Sequence, residues 1–200
     1  MSQNIVNAFK KRRTIYALSD KLPQTKQEIS DLIQTVIENA PSAFNSQTSR
    51  ALILFGDAHR YLWSNITYNI LKKKVGNGDF SSTANKIDGF AAGAGTVLFF
   101  EDQDQVESLK KNFPLYADAM DGFSLQSSGM AQYALWVAFA AEGIGASLQH
   151  YNPLIDDAVA DHWDIPKSWK LLSQMVFGSI KKPAGEKDFI SRDQRFKVAG

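Results

Sequence analysis

The chain contains no cysteine. That excludes disulfides, thiol nucleophiles, zinc–thiolate sites and iron–sulfur clusters together. A cysteine-free chain suits a reducing compartment, and the cytoplasm is the expected location. Only three histidines are present, His59, His150 and His162, and they suggest no metal triad. A dominant charge is missing too: 22 Lys and Arg stand against 21 Asp and Glu, for a formal net charge of +1. Nothing of that size draws a chain to nucleic acid or an anionic membrane. The longest apolar run, inside Met130–Ala141, is interrupted by Gln132 and falls far short of the roughly 20 residues of a membrane span. No apolar stretch follows the first basic residues, so no signal peptide is expected. There is no nucleophile elbow, P-loop or Gly-x-Gly-x-x-Gly fingerprint; Gly93-Ala94-Gly95 precedes a strand and reads as a turn.

What is present is the composition of a folded domain, 44% hydrophobic and 22% charged over 200 residues. Thr25 and Glu28 have capping-box spacing, and Ile29, Leu32, Ile33, Val36 and Ile37 follow with helical periodicity up to Pro41. Strands are expected at Ala51–Phe55, Gly95–Phe100, Ala146–Tyr151 and Leu171–Phe177. Helices are expected near Ala58–Lys74 and over Ser124–Glu142. The latter is apolar almost all the way round, so it should be buried on every side, partly against a second subunit. Glu101, Asp102 and Asp104 look like a solvated loop at a strand end, and Asp156-Asp157 like a helix start. The polar stretch from Lys181 to Gly200 is either disordered or an arm that completes a neighbour's sheet. The fold class is α+β, one domain over 1–200, with a small central mixed sheet flanked by helices.

Three polar segments stand out. Arg12-Arg13-Thr14 offers two guanidiniums and a hydroxyl, suited to a phosphate dianion, although a solvated basic start is the commoner meaning of so short a cluster taken alone. Pro41–Arg50 lies between a helix and a strand, and there Asn45 and Gln47 can read a heterocycle edge that alternates donor and acceptor; a self-satisfied polar turn is the bland alternative. Leu148–Pro153 carries Gln149, His150 and Tyr151, for which structural roles compete with proton delivery.

Taken in order with Lys86–Phe90, Gly95–Asp102 and Phe177–Lys187, these segments resemble the nitroreductase family over nearly the whole chain. The resemblance is strongest to its short branch of fatty-acid-repression-type proteins and bacterial copper-induced nitroreductases. It implies an intertwined homodimer with FMN in clefts at the subunit interface and an arm of about residues 181–200 crossing to the partner. Arg12, Arg13 and Thr14 would hold the phosphate and ribityl end, with Lys86 on the ribityl chain. Lys187 and Arg195 would complete the phosphate site, Arg192 competing with the latter. Asn45 and Gln47 would meet the isoalloxazine edge from the other subunit, and the Gln149-His150-Tyr151 turn would face N5, offering backbone N–H groups. The implied activity is ping-pong transfer from NADH or NADPH to nitroaromatics, quinones or N-oxides, with no catalytic side chain required. A regulatory or stress-response flavoprotein with little turnover is the alternative. Thr48-Ser49 stands where the broader family often has Pro-Trp, and Gln149–Asn152 replaces its Pro-x-Glu-Gly turn; both departures point to the short branch.

Overall fold

Thr25 and Glu28 form the capping box that their spacing predicts. The Thr25 N–H donates to Glu28 Oε2 at 2.7 Å and the Glu28 N–H to Thr25 Oγ1 at 3.2 Å. Two orphan donors of helix α2 (Lys26–Glu38) are thereby satisfied, and Ile29 and Ile33 turn inward. The structure, a computed structural model, describes residues 3–200.

Five strands form the sheet: β1 (Leu18–Ser19), β2 (Ser49–Phe55), β3 (Gly95–Asp102), β4 (Ile144–Gln149) and β5 (Trp169–Ile180). The last is the centre, pairing antiparallel with β3, β4 and β1, while β2 lies outside β3. All strand pairs are antiparallel; a single parallel bridge, Thr14 with Ala146, supplies the mixed character. Every residue of β3 is buried, as the continuous apolar run requires of a strand covered on both faces.

Each face of the sheet has its own core. Val97, Phe99, Ile144, Ala146, Met175 and Phe177 pack with Ile29 and Ile33 of α2 and with Leu135 and Phe139 of α7 (Ala117–Ala141). On the other face Leu54, Leu98, Phe100, Leu171 and Val176 meet three helical stretches. These are α3 (Gly56–Tyr61), which runs through a π-helical turn (Leu62–Thr67) into α4 (Tyr68–Val75); α5 (Ser81–Ala91); and α8 (Asp156–Trp163). The wide π turn brings two adjacent pairs inward, Leu62-Trp63 and Ile66-Thr67, all four buried.

One expectation needs correction, that of solvated acids at the end of β3: Glu101 is 1% exposed, and Asp102 is buried and pairs with Arg50 at 3.0 Å, only Asp104 being exposed. Helix α6 (Gln103–Asn112) begins directly after Asp102. The apolar helix α7 is covered on one side within a single chain, as an expectation of burial partly against a second subunit allows. Met120, Ser124, Ala131, Leu135 and Phe139 are buried, whereas Leu125, Met130 and Tyr133 stand exposed on other faces. Helix α1 (Gln3–Lys11) runs beside it, Phe9 stacking on Tyr133 at 6.0 Å, with Ile5 also exposed.

Candidate functional site

Arg12, Arg13 and Thr14 follow the end of α1 and enter the sheet together. Thr14 makes the bridge to Ala146, and the Ile15 N–H donates to Ala146 O at 2.9 Å, which fixes the direction of the chain. The Arg12 guanidinium lies 4.8 Å above Trp136 and 5.9 Å from Tyr133, and its Nε is buried without a partner. Arg13 Nη2 donates to the carbonyls of Gly185 at 2.8 Å and Glu186 at 3.4 Å, so it fastens the start of the C-terminal stretch.

Three hollows adjoin here. One of about 370 Å³ is lined by Phe9, Arg12, Arg13, Lys187 and Phe189 among others. A second, about 340 Å³, shares Arg13 and includes Thr14, Tyr16 and Pro183. The third, about 410 Å³, shares Tyr16 and is completed by Asn85, Lys86, Gly89 and Phe90. Residues 12–14, 86 and 187, distant in sequence, thus line one concave track. Arg195 stands further out, on the terminal turn α9 (Arg192–Arg195), 5.6 Å from the Phe196 ring.

Strand β4 alternates. Ile144, Ala146 and Leu148 face the α2–α7 core, which sends Gly145, Ser147 and Gln149 to the opposite face. A Cβ at Gly145 would come within 2.8 Å of Leu18 and Ile180, so this position is closed to side chains. Beyond it Ser147 and Gln149 are buried, and Ser147 Oγ and Gln149 Nε2 have no hydrogen-bond partner. Buried polar atoms are rarely left unpaired, and such orphans mark a place for a further group. Tyr151 packs edge-on against Trp63 at 5.6 Å and Phe90 at 6.2 Å. Burial pushes its phenol up from the ordinary tyrosine range, so the hydroxyl stays protonated at neutral pH. Its backbone N–H is already taken by Gln174 Oε1 at 2.8 Å, which removes it from the N–H groups expected to face a ligand. His150 is exposed.

Asn45 and Gln47 sit apart from this track. Their loop holds Phe44, Asn45 and Gln47 at φ 56°, 51° and 49°, a left-handed conformation that costs a bulky residue on the order of 1–2 kcal/mol. Such outliers persist only where the surroundings enforce them. Here the Gln47 N–H donates to Ser42 Oγ at 3.0 Å and the Ala43 N–H to Ser127 Oγ at 3.3 Å. Arg50 Nη1 donates to Gln47 O at 2.6 Å, and Phe44 stacks on Phe113 at 4.4 Å. A hollow of about 180 Å³, lined by Pro41, Ser42, Gln47, Arg50, Ser127 and Ala131 among others, lies beside the loop. It shares no residue with the other three. One chain therefore presents two separate candidate regions.

Among the supporting groups, Glu101 has the look of a solvated acid in sequence, and nothing there marks Arg50 or Gln174 beyond Gln174 being the one amide within the apolar run Leu171–Phe177. Among the described residues no group of His, Asp and Glu is arranged to hold a metal, and no helix is long and apolar enough to cross a membrane.

Comparison with known proteins agrees with this architecture. The model of the Nitroreductase family matches residues 9–179. The chain is 41% identical over 184 residues to HBN1 of Saccharomyces cerevisiae, covering 91% of each protein. It is 33% identical over 190 residues to the nitroreductase FRM2 of the same yeast, covering 94% of each. Nitroreductase CinD from Lactococcus lactis, solved in complex with nicotinic acid, superposes with a TM-score of 0.92 at 48% identity over 98% of this chain and 99% of its own. A more distant protein from Exiguobacterium sibiricum, solved in complex with FMN, shares the fold at 13% identity and a TM-score of 0.73. Sheet order, helical layers and similarity along almost the full length coincide, and the chain belongs to the nitroreductase family of oxidoreductases.

Proposed function

We propose that the chain is an FMN-dependent NAD(P)H oxidoreductase that acts as a homodimer on small electron-poor acceptors: nitroaromatics, quinones and N-oxides. The observation that carries this reading is the shared track of hollows, which unites cationic residues 12, 13, 86 and 187 with the orphaned Arg12 Nε. A phosphate is the ligand that several convergent guanidinium and ammonium groups select. Arg12, Arg13 and Lys187 would hold it, joined by Arg195 when the arm of about residues 181–200 docks. Thr14 and Lys86 would bind the ribityl chain. Ser147 Oγ and Gln149 Nε2 supply the unspent hydrogen-bonding capacity nearer the ring.

Asn45 and Gln47 would reach the isoalloxazine edge from the partner subunit, which accounts for two separate regions in one chain. The exposed apolar residues of α1 and α7, among them Ile5, Leu125, Met130 and Tyr133, give that subunit a surface to cover. Bound FMN would supply the redox chemistry, exchanging hydride with NADH or NADPH and electrons with the acceptor in separate half-reactions. The protein orients the partners and excludes water. The protonated Tyr151 phenol and His150, on the turn that would lie at the N5 side, are the groups able to hold a proton there. The family resemblance favours the cytoplasm.

The test is the visible absorption of the purified protein, with anaerobic addition of NADH or NADPH. Two flavin bands that bleach promptly and return with a quinone are expected. Bands that persist would leave the regulatory flavoprotein instead. The Arg12→Ala, Arg13→Ala double variant should lose bound FMN, and full retention would refute the phosphate assignment.

A further inference from the structure

Glu101 is 1% exposed and no Lys or Arg among the described residues pairs with it. Its carboxylate accepts hydrogen bonds from three hydroxyls instead: Thr48 Oγ1, Ser49 Oγ and Ser124 Oγ. A buried carboxylate with only neutral donors is an expensive way to fill space, since an apolar side chain of similar volume would avoid the desolvation. The arrangement calls for a role other than stability, and the three donors indicate one. Thr48 and Ser49 directly follow Gln47 in the chain. Ser124 lies on α7 one turn before Ser127, which accepts the Ala43 N–H at the opposite end of the loop. The left-handed residues Phe44, Asn45 and Gln47 are thus suspended between two anchorages, Ser127 on α7 and Glu101 on β3, the latter tied to the same helix through Ser124.

We infer that Glu101 is a positioning residue: it holds the loop in its left-handed conformation and thereby sets how strongly Asn45 and Gln47 engage the flavin. The second half of this inference rests on the flavin reading above; the first does not. Two measurements on the full-length protein separate them. Amide hydrogen exchange over residues 43–48 in the FMN-free protein reports the loop alone. FMN titration, done well below the melting temperature of each variant, reports the consequence.

Glu101→Ala should accelerate exchange over 43–48 at least tenfold with β3 and β5 unchanged, and weaken FMN about tenfold. Glu101→Gln keeps the volume and one acceptor, so it should fall between Ala and wild type in both measurements. Should the Ala variant not fold, Glu101→Gln and Ser124→Ala carry the test, the latter with an effect of roughly threefold. Unchanged exchange over 43–48 in these variants overturns the inference. So does a loosened loop that binds FMN with wild-type affinity. A wild-type protein that takes up no FMN overturns the flavin reading, while the exchange result still decides whether Glu101 holds the loop.

Discussion

Strand β3 carries a buried polar cluster at each end, and the two are built for different purposes. At its start Thr96 Oγ1 lies 2.8 Å from His59 Nδ1 and accepts from Trp63 Nε1 at 2.9 Å. The Thr96 hydroxyl can donate to Nδ1 of a neutral His59 whose proton is on Nε2, a buried nitrogen that has no hydrogen-bond partner of its own. This cluster joins the sheet to α3 and the π turn, and all its members are rigid core. At the far end the Glu101 carboxylate gathers hydroxyls from a strained loop and from α7. The first cluster specifies how layers pack; the second specifies where two exposed side chains point. Burial alone does not reveal which is which, because all the central residues, Thr96, His59 and Glu101, are within 1% of full burial. What differs is the element at the other end of the hydrogen bonds.

If that distinction is sound, perturbing the first end should change stability and spare the ligand. The largest effect comes with pH. Burial lowers the His59 pKa from 6.5 to about 4, and the nearby backbone of Ala91 and Phe90 opposes the shift only in part. The unfolded chain therefore binds the proton more readily between these values. Stability is full above pH 6.5 and falls as pH drops toward 4, by about 3 kcal/mol in all. Urea denaturation at pH 7, 5.5 and 4 measures the slope, and His59→Gln should flatten it. Thr96→Val ranks next: it strands the ring nitrogens of both His59 and Trp63, for a loss of about 2 kcal/mol in urea with FMN content unchanged. A drop in bound FMN would erase the contrast between the two ends.

Arg50→Ala acts at the second end, removing the donor to Gln47 O and the partner of Asp102. About 1 kcal/mol of stability should be lost, together with a weakening of FMN that exceeds anything Thr96→Val produces. Thr25→Ala serves as the remote control. It abolishes a cap on α2 for roughly 0.5–1 kcal/mol of thermal or urea stability and should leave flavin affinity untouched.

The capping box, the four long strands and the C-terminal two-thirds of α7 were legible because each depends on residues close together in sequence; the first turns of α7, Ala117–Phe123, were not. The candidate ligands at 12–14, 45–47 and 149–151 were legible through a resemblance spread along the chain. Glu101 was misread for a physical reason: an acid pair after an apolar strand ordinarily marks solvent, and the hydroxyls that reverse this lie 53 and 23 residues away. Helix α5 escaped notice because Ser81-Ser82-Thr83 and Gly89 dilute its apolar period to little more than Ile87 and Phe90. The left-handed backbone at Phe44 has no local signal at all, since nothing in a phenylalanine anticipates φ 56°. Its cause is tertiary.

The place of β5 in the sheet has a consequence for synthesis. The last strand to be made is the one on which β1, β3 and β4 all pair. Until residues 169–180 leave the ribosome, β2 and β3 have only each other as strand partners, and the first 20 residues have only the bridge from Thr14 to β4. Contacts of such long sequence separation close late and slowly. The nascent chain must hold the largely apolar pair Ala51–Phe55 and Gly95–Phe99 without its central neighbour until β5 has been made. Chaperone dependence during expression, rather than low stability once folded, is the weakness this topology builds in.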